Sequence, residues 1–202
     1  MKLLSESQLA EAIALFHSGE PIVFPTETVY GLGAPLFNEQ AIAKIFSIKG
    51  RSMKNPLIAH VVSIAQVEEI AEQIPPLFYQ LAERFWPGPL TIVLRKKSCV
   101  SSLVSGGTDS IGVRITPHPV ARHLIEAAGQ PLVATSANLS GQPSPTSRQQ
   151  VIDQLGDRVA AFLDGPPSPA GLASTIISLI EGSPELLRSG AIDFTTICKS
   201  VY

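Results

Sequence analysis

At 202 residues with a formal net charge of −2, the chain is long enough to bury a sizeable core and has no global basic excess. Apolar residues make up 45% and charged residues 16%, which excludes intrinsic disorder and non-specific attraction to nucleic acid or anionic membrane. Any handling of phosphate must therefore come from locally focused Lys and Arg.

Ser5 and Gln8 form a capping-box pattern, after which Leu9, Ile13 and Phe16 share one helical face and Gly19 closes the helix. The apolar run Ile22-Val23-Phe24 reads as a strand breaking into a loop over residues 25–33, Pro-Thr-Glu-Thr-Val-Tyr-Gly-Leu-Gly. Two glycines, two threonines and a carboxylate suit a loop whose backbone and hydroxyls approach a polar small molecule. A helix from Asn38 turns Ile42, Ile45 and Phe46 inward, and the basic stretch Lys49 to Pro56 follows. Leu57 to Val62 predicts a strand, and Ser63 with Gln66 caps an acidic helix. Leu77 to Phe85 predicts another helix, ended by Trp86-Pro87-Gly88-Pro89.

Strands are then expected at Leu90–Leu94, Ser110–Ile115, Leu132–Thr135, Val159–Leu163, Ser174–Leu179 and Glu185–Arg188, with helices at His118–Gly129 and Ser147–Gly156. Interleaving without strict alternation predicts an α/β domain with a mixed parallel and antiparallel sheet and helices packed on it. Residues 1–202 read as one domain; the proline-rich stretch Gly165 to Pro169 is the nearest thing to a linker.

Cys99 and Cys198 have neither zinc spacing nor a C-x-x-C partner, and read as reduced thiols. With no signal-peptide pattern and no apolar run of spanning length, a soluble cytoplasmic protein is expected, without membrane contact. There is no P-loop, complete dinucleotide fingerprint or nucleophile elbow. Ser136-Ala137-Asn138 lacks the S-x-x-K and K-T-G that a penicillin-binding reading requires. The four histidines have no metal-site spacing, but His60 sits in an otherwise apolar strand and must be hydrogen-bonded or face a cavity.

Strand phase carries further. In Ser110 to Ile115 the period of two puts Ile111, Val113 and Ile115 on one face and Ser110, Gly112 and Arg114 on the other. Ala134 and Ser136 likewise share a direction. Such a face is either the floor of a polar site or a solvated sheet surface. Lys49-Gly50-Arg51, two cations around a glycine after a helix, is either a solvated turn or a phosphate clasp.

In order, these pieces resemble the YrdC-domain family of threonylcarbamoyl-AMP synthases. The residues that carry the resemblance are 25–33, Lys49-Gly50-Arg51, Asn55-Pro56-Leu57, Trp86 to Thr91, Gly112-Val113-Arg114, Ser136 to Gly141, Ser174-Thr175-Ile176 and Arg188-Ser189-Gly190, nearly the whole chain. The resemblance implies a twisted mixed sheet with a concave, positively lined groove, in the short single-domain form. It implies that L-threonine, bicarbonate and ATP give threonylcarbamoyl-AMP and pyrophosphate, the product passing to proteins that modify tRNA. Thr28, His60, Arg114 and Ser174 would then surround threonine. Arg51, Asn55, Ser110, Ala134, Ser136, Ser144 and Arg188 would surround ATP. Lys49 and Arg51 are the catalytic candidates, Lys49 for steadying triphosphate charge, and Mg²⁺ is expected to arrive with ATP rather than at a protein site. Ser52 and Thr116 depart from the family pattern and are expected at the rim. A non-catalytic double-stranded RNA-binding protein, using the groove for phosphates, is the competing reading; direct RNA binding stays open beside either.

Overall fold

A computed structural model describes residues 1–168 and 171–201; Pro169, the end of the proline-rich stretch, lies outside them. The strands are β1 (Lys2–Leu4), β2 (Ile22–Phe24), β3 (Gly31–Pro35), β4 (Ile58–Val61), β5 (Ala71–Glu72), β6 (Leu90–Lys96), β7 (Ser110–Ile115), β8 (Leu132–Ser136), β9 (Ala161–Leu163), β10 (Thr175–Ser178) and β11 (Glu185–Arg188). The helices are α1 (Leu9–His17), α2 (Glu39–Lys49), α3 (Ile64–Ile70), α4 (Pro76–Phe85), α5 (Ser102–Ser105), α6 (Pro119–Ala128), α7 (Arg148–Leu155) and α8 (Phe194–Cys198).

Local chemistry accounts for the helix ends. The Asn38 side chain accepts the Ala41 N–H at 3.0 Å to start α2, and Gly50 ends it at φ 59°, in left-handed backbone. Ser147 and Gln150 form a reciprocal capping box on α7. Proline occupies the first position of α4 and of α6, where its missing N–H costs nothing.

Among the described residues the strands form one mixed sheet in the order β1-β9-β2-β3-β8-β4-β7-β6-β10-β11, with β5 paired to the end of β6. The pairs β4/β7 and β6/β10 are parallel, whereas β3/β8, β4/β8 and β6/β7 are antiparallel. This is the expected α/β architecture. Gly31 to Gly33 is a strand, not the expected loop; the loop stops at Tyr30. A Cβ on Gly33 would stand 2.8 Å from both Phe24 Cε1 and the Val133 carbonyl oxygen, so the missing side chain lets β2, β3 and β8 close up. The very short β1, β5, α5 and α8 were also not foreseen.

The two faces of the sheet are covered unequally. One face carries a large continuous core, including Val23, Leu32, Ala59, Val61, Ile92, Leu94, Ile111, Val113, Val133 and Phe162, packed against residues of α2, α3, α4 and α7. The other face is covered by α1 and α6 through Ala12, Phe16, Val120, Leu124 and Ile125, packed on Leu4, Ile22, Phe24, Leu132, Ala134 and Leu163. Beyond Ala134 that second face opens into a cavity.

Candidate active site

The cavity has a volume of about 430 Å³, within the usual range for a small-molecule site. Its floor is a row of residues in register across four neighbouring strands: Ala134 on β8, Ile58 on β4, Gly112 on β7 and Val93 on β6. Strand phase produces this face. Ile111, Val113 and Ile115 enter the core, while Ser110, Gly112 and Arg114 line the cavity, so the floor reading of β7 holds and the solvated-face alternative does not.

At its buried end, His60 on β4 and Arg114 on β7 lie directly opposite in the parallel register. Arg114 Nη2 stands 3.0 Å from His60 Nε2, and His60 Nδ1 stands 3.2 Å from the Ile58 carbonyl oxygen. Because the carbonyl can only accept, the proton sits on Nδ1 and Nε2 accepts from the guanidinium. Burial, reinforced by the charge of Arg114, pushes the His60 pKa down to about 3, so the ring is neutral. Arg114 Nη1 lies 2.9 Å from Glu27 Oε1 and 3.4 Å from Thr28 Oγ1, and Thr116 donates to Glu27 Oε2 at 2.5 Å. Thr116 is fully buried, so its expected rim position is wrong: a proline there would remove a hydroxyl that holds Glu27.

The other end is open. Arg51 donates from Nε to the Asn55 carbonyl at 3.3 Å and from Nη2 to the Pro56 carbonyl at 3.0 Å. Arg188 grips the Ser174 carbonyl from Nε (3.3 Å) and Nη2 (2.7 Å), and Nη2 also reaches Ser174 Oγ at 3.1 Å. Ser174 Oγ lies 2.8 Å from Thr91 Oγ1. Gly190 fixes this corner, since a Cβ there would fall 2.4 Å from the Ala173 carbonyl oxygen and from backbone atoms of Ser174 and Thr175. Burial first, then the charges of Arg114 and Arg51, lower the Arg188 pKa; burial also lowers that of Arg51. Among the described residues no Asp or Glu lines the cavity, so these cations form an uncompensated field suited to an anion.

Of the twelve site residues anticipated from the sequence, Thr28, Arg51, Asn55, His60, Ser110, Arg114, Ala134, Ser136, Ser144, Ser174 and Arg188 all line this one cavity. Lys49 does not. Its buried ammonium donates instead to the Ser136 and Asn138 carbonyls, and burial followed by the charge of Arg51 brings its pKa down to about 7. Left-handed Gly50 turns the chain between the two cations, so Lys49 points into the protein and Arg51 into the cavity. Thr91 was overlooked, although the alternation of β6, with Leu90, Ile92 and Leu94 in the core, puts Thr91 and Val93 on the cavity side. Among the described residues no group of three His, Cys, Asp or Glu side chains is placed to hold a metal ion, and no helix is long and apolar enough to cross a membrane.

The Sua5/YciO/YrdC family, described as telomere recombination, matches residues 14–190. The threonylcarbamoyl-AMP synthase of Pyrococcus abyssi is 42% identical over 198 residues, covering 98% of this chain and 58% of that one. That of Bacillus subtilis is 43% identical over 189 residues, covering 93% of this chain and 55% of its own. The crystal structure of P. abyssi Sua5 complexed with L-threonine superposes with a TM-score of 0.96 at 40% identity, over 100% of this chain and 61% of that one. The chain therefore spans somewhat more than half the length of these relatives.

Proposed function

The chain belongs to the Sua5/YciO/YrdC family, and from that premise we propose that it forms threonylcarbamoyl-AMP and pyrophosphate from L-threonine, bicarbonate and ATP. The observation that carries this reading is the convergence of eleven residues from well-separated segments on one cavity bearing three arginines and, among the described residues, no lining carboxylate. The names of the relatives and the threonine complex of P. abyssi Sua5 support it.

In this reaction the threonine amine bonds to the bicarbonate carbon with loss of water, giving a carbamate. A carbamate oxygen then bonds to the α-phosphorus of ATP as the bond to the bridging oxygen breaks and pyrophosphate leaves. No protein nucleophile is required, and the protein contributes positioning and charge stabilisation. Arg51 and Arg188, each tethered through Nε and Nη2 to backbone carbonyls, face the phosphates with their remaining donors. Asn55, Ser110, Ala134, Ser136 and Ser144 complete the nucleotide side. Thr28 and Ser174 supply hydroxyls beside threonine, and Arg114, its charge balanced by Glu27, receives the carboxylate as a hydrogen-bond donor. His60 acts there through Arg114, since both ring nitrogens are already engaged. Mg²⁺ would travel with ATP, since Glu27, the carboxylate paired with Arg114, is already held by Arg114 and Thr116.

Incubation with ATP, threonine and ¹³C-bicarbonate is expected to yield a labelled adenylate by mass spectrometry together with pyrophosphate. Neither should form when threonine is omitted, and serine should substitute poorly. ATP binding without any labelled adenylate would sink the proposal; binding of duplex RNA with no nucleotide turnover would favour the non-catalytic reading. Transfer of the product to tRNA-modifying proteins belongs to the same proposal and is testable by adding such proteins and tRNA to the mixture.

A further inference from the structure

We propose that Lys49 is a positioning residue that fixes the backbone wall carrying Ser136, rather than a ligand of the triphosphate. The inference rests on reading the cavity as an ATP site. Its geometric basis is a double clamp between the end of α2 and the 136–140 loop. The Lys49 side chain donates to the carbonyls of Ser136 and Asn138, and the Lys49 carbonyl accepts the Ser140 N–H at 2.9 Å. The loop is also pinned by the Ala137 N–H on the Tyr30 carbonyl at 2.8 Å, by the Leu139 N–H on Gln154 Oε1 at 3.2 Å, and by Asn138 Nδ2 on the carbonyls of Leu139 and Gln142, each at 2.8 Å. Those bonds do not reach the outward carbonyls of the turn. The Asn138 N–H does reach the Ser136 carbonyl at 3.0 Å, so Lys49 is the second donor there and the side-chain donor to Asn138.

Turning the ammonium toward a phosphate would strip the Asn138 carbonyl of that partner beside Ala137, which is fully buried. It would also bring a second cation up to Arg51, the charge that already opposes it. Held as it is, Lys49 does something a phosphate ligand could not. It ties the helix end that launches Arg51 to the strand end that carries Ser136, and so sets the width of the cavity between them. Ser136 ends β8 and Ser144 lies beyond the clamped loop; both line the cavity.

Positioning and phosphate binding separate experimentally. Lys49→Met is expected to lower threonine-dependent pyrophosphate release by roughly 10- to 100-fold, the scale of a misplaced reacting group. The KM for ATP should move by less than about threefold, because ground-state phosphate contacts remain, and its rise with salt should keep the wild-type slope. Amide exchange at Ala137, Asn138 and Ser140 should accelerate in this variant and stay at the wild-type rate in Arg51→Ala. A tenfold or larger rise in KM with kcat retained and a flattened salt dependence would overturn the proposal. Should the variant not fold, wild-type protein decides: the ¹³Cε resonance of Lys49 is expected to hold still on addition of ATP, and a shift as large as that of Arg51 ¹³Cζ overturns the assignment. If the wild-type protein makes no adenylate, the functional reading fails, while amide exchange still reports whether Lys49 holds the loop.

Discussion

At the buried end of the cavity Arg114 is met by Glu27, Thr28 and His60, whereas at the open end Arg51 and Arg188 meet, among the described residues, only backbone carbonyls and the Ser174 hydroxyl. Both ends use guanidinium groups, yet they solve different problems. A cation sealed from water needs a fixed counter-charge, so the buried end is neutralised within the protein. The carbonyls at the open end orient their arginines without cancelling charge, which leaves the field available to an incoming anion. Preorganisation and attraction are thus separated along one groove.

The contrast breaks most severely at Glu27. Its side chain is 13% exposed and that of Arg114 is 5% exposed, so Glu27→Ala strands a buried cation. A loss of roughly 3–5 kcal/mol in urea unfolding is expected, the usual cost of removing one partner of a buried pair. Glu27→Gln, which keeps an acceptor for Thr116, should lose less. If Glu27→Ala unfolded at the wild-type midpoint, the buried end would not be a neutralised pair.

Arg51→Ala tests the opposite end. Because Arg51 has no carboxylate partner among the described residues and lies beside other cations, its removal should change stability by less than about 1 kcal/mol. Pyrophosphate release should nevertheless fall by about 100-fold or more, near 3 kcal/mol of transition-state stabilisation. Unchanged turnover would remove Arg51 from the site.

Which of these features could be read from the sequence follows from their range. Caps, helix faces and strand phase are local, and Asn38, Ser147 and the Ser110–Arg114 alternation gave the helices and the cavity floor. β3 was hidden because its glycines resemble a loop, and only the approach of Phe24 and Val133 explains Gly33. The directions of Lys49 and Arg51 depend on the left-handed turn at Gly50, which residue spacing does not encode. Thr116 looked peripheral because its partner Glu27 is 89 residues away along the chain. The grouping of the site residues came from family resemblance, whereas the split between a neutralised and an open end required coordinates.

The gentlest probe of the buried end is acid. His60 has a pKa of about 3 in the fold against about 6.5 when unfolded, so between those values the unfolded chain binds one more proton than the folded one. Stability therefore rises with pH through this window: the His60 contribution is complete above about pH 7 and erodes on acidification, by roughly 2 kcal/mol at pH 5. In His60→Gln the amide oxygen can still accept from Arg114 and its NH₂ can donate to the Ile58 carbonyl, but nothing at that position titrates. Urea midpoints between pH 7.5 and 5 should fall less steeply in the variant than in the wild type. Parallel curves would mean that the imidazole takes up a proton within the fold, and Arg114 would then face a second cation instead of the acceptor that now orients it.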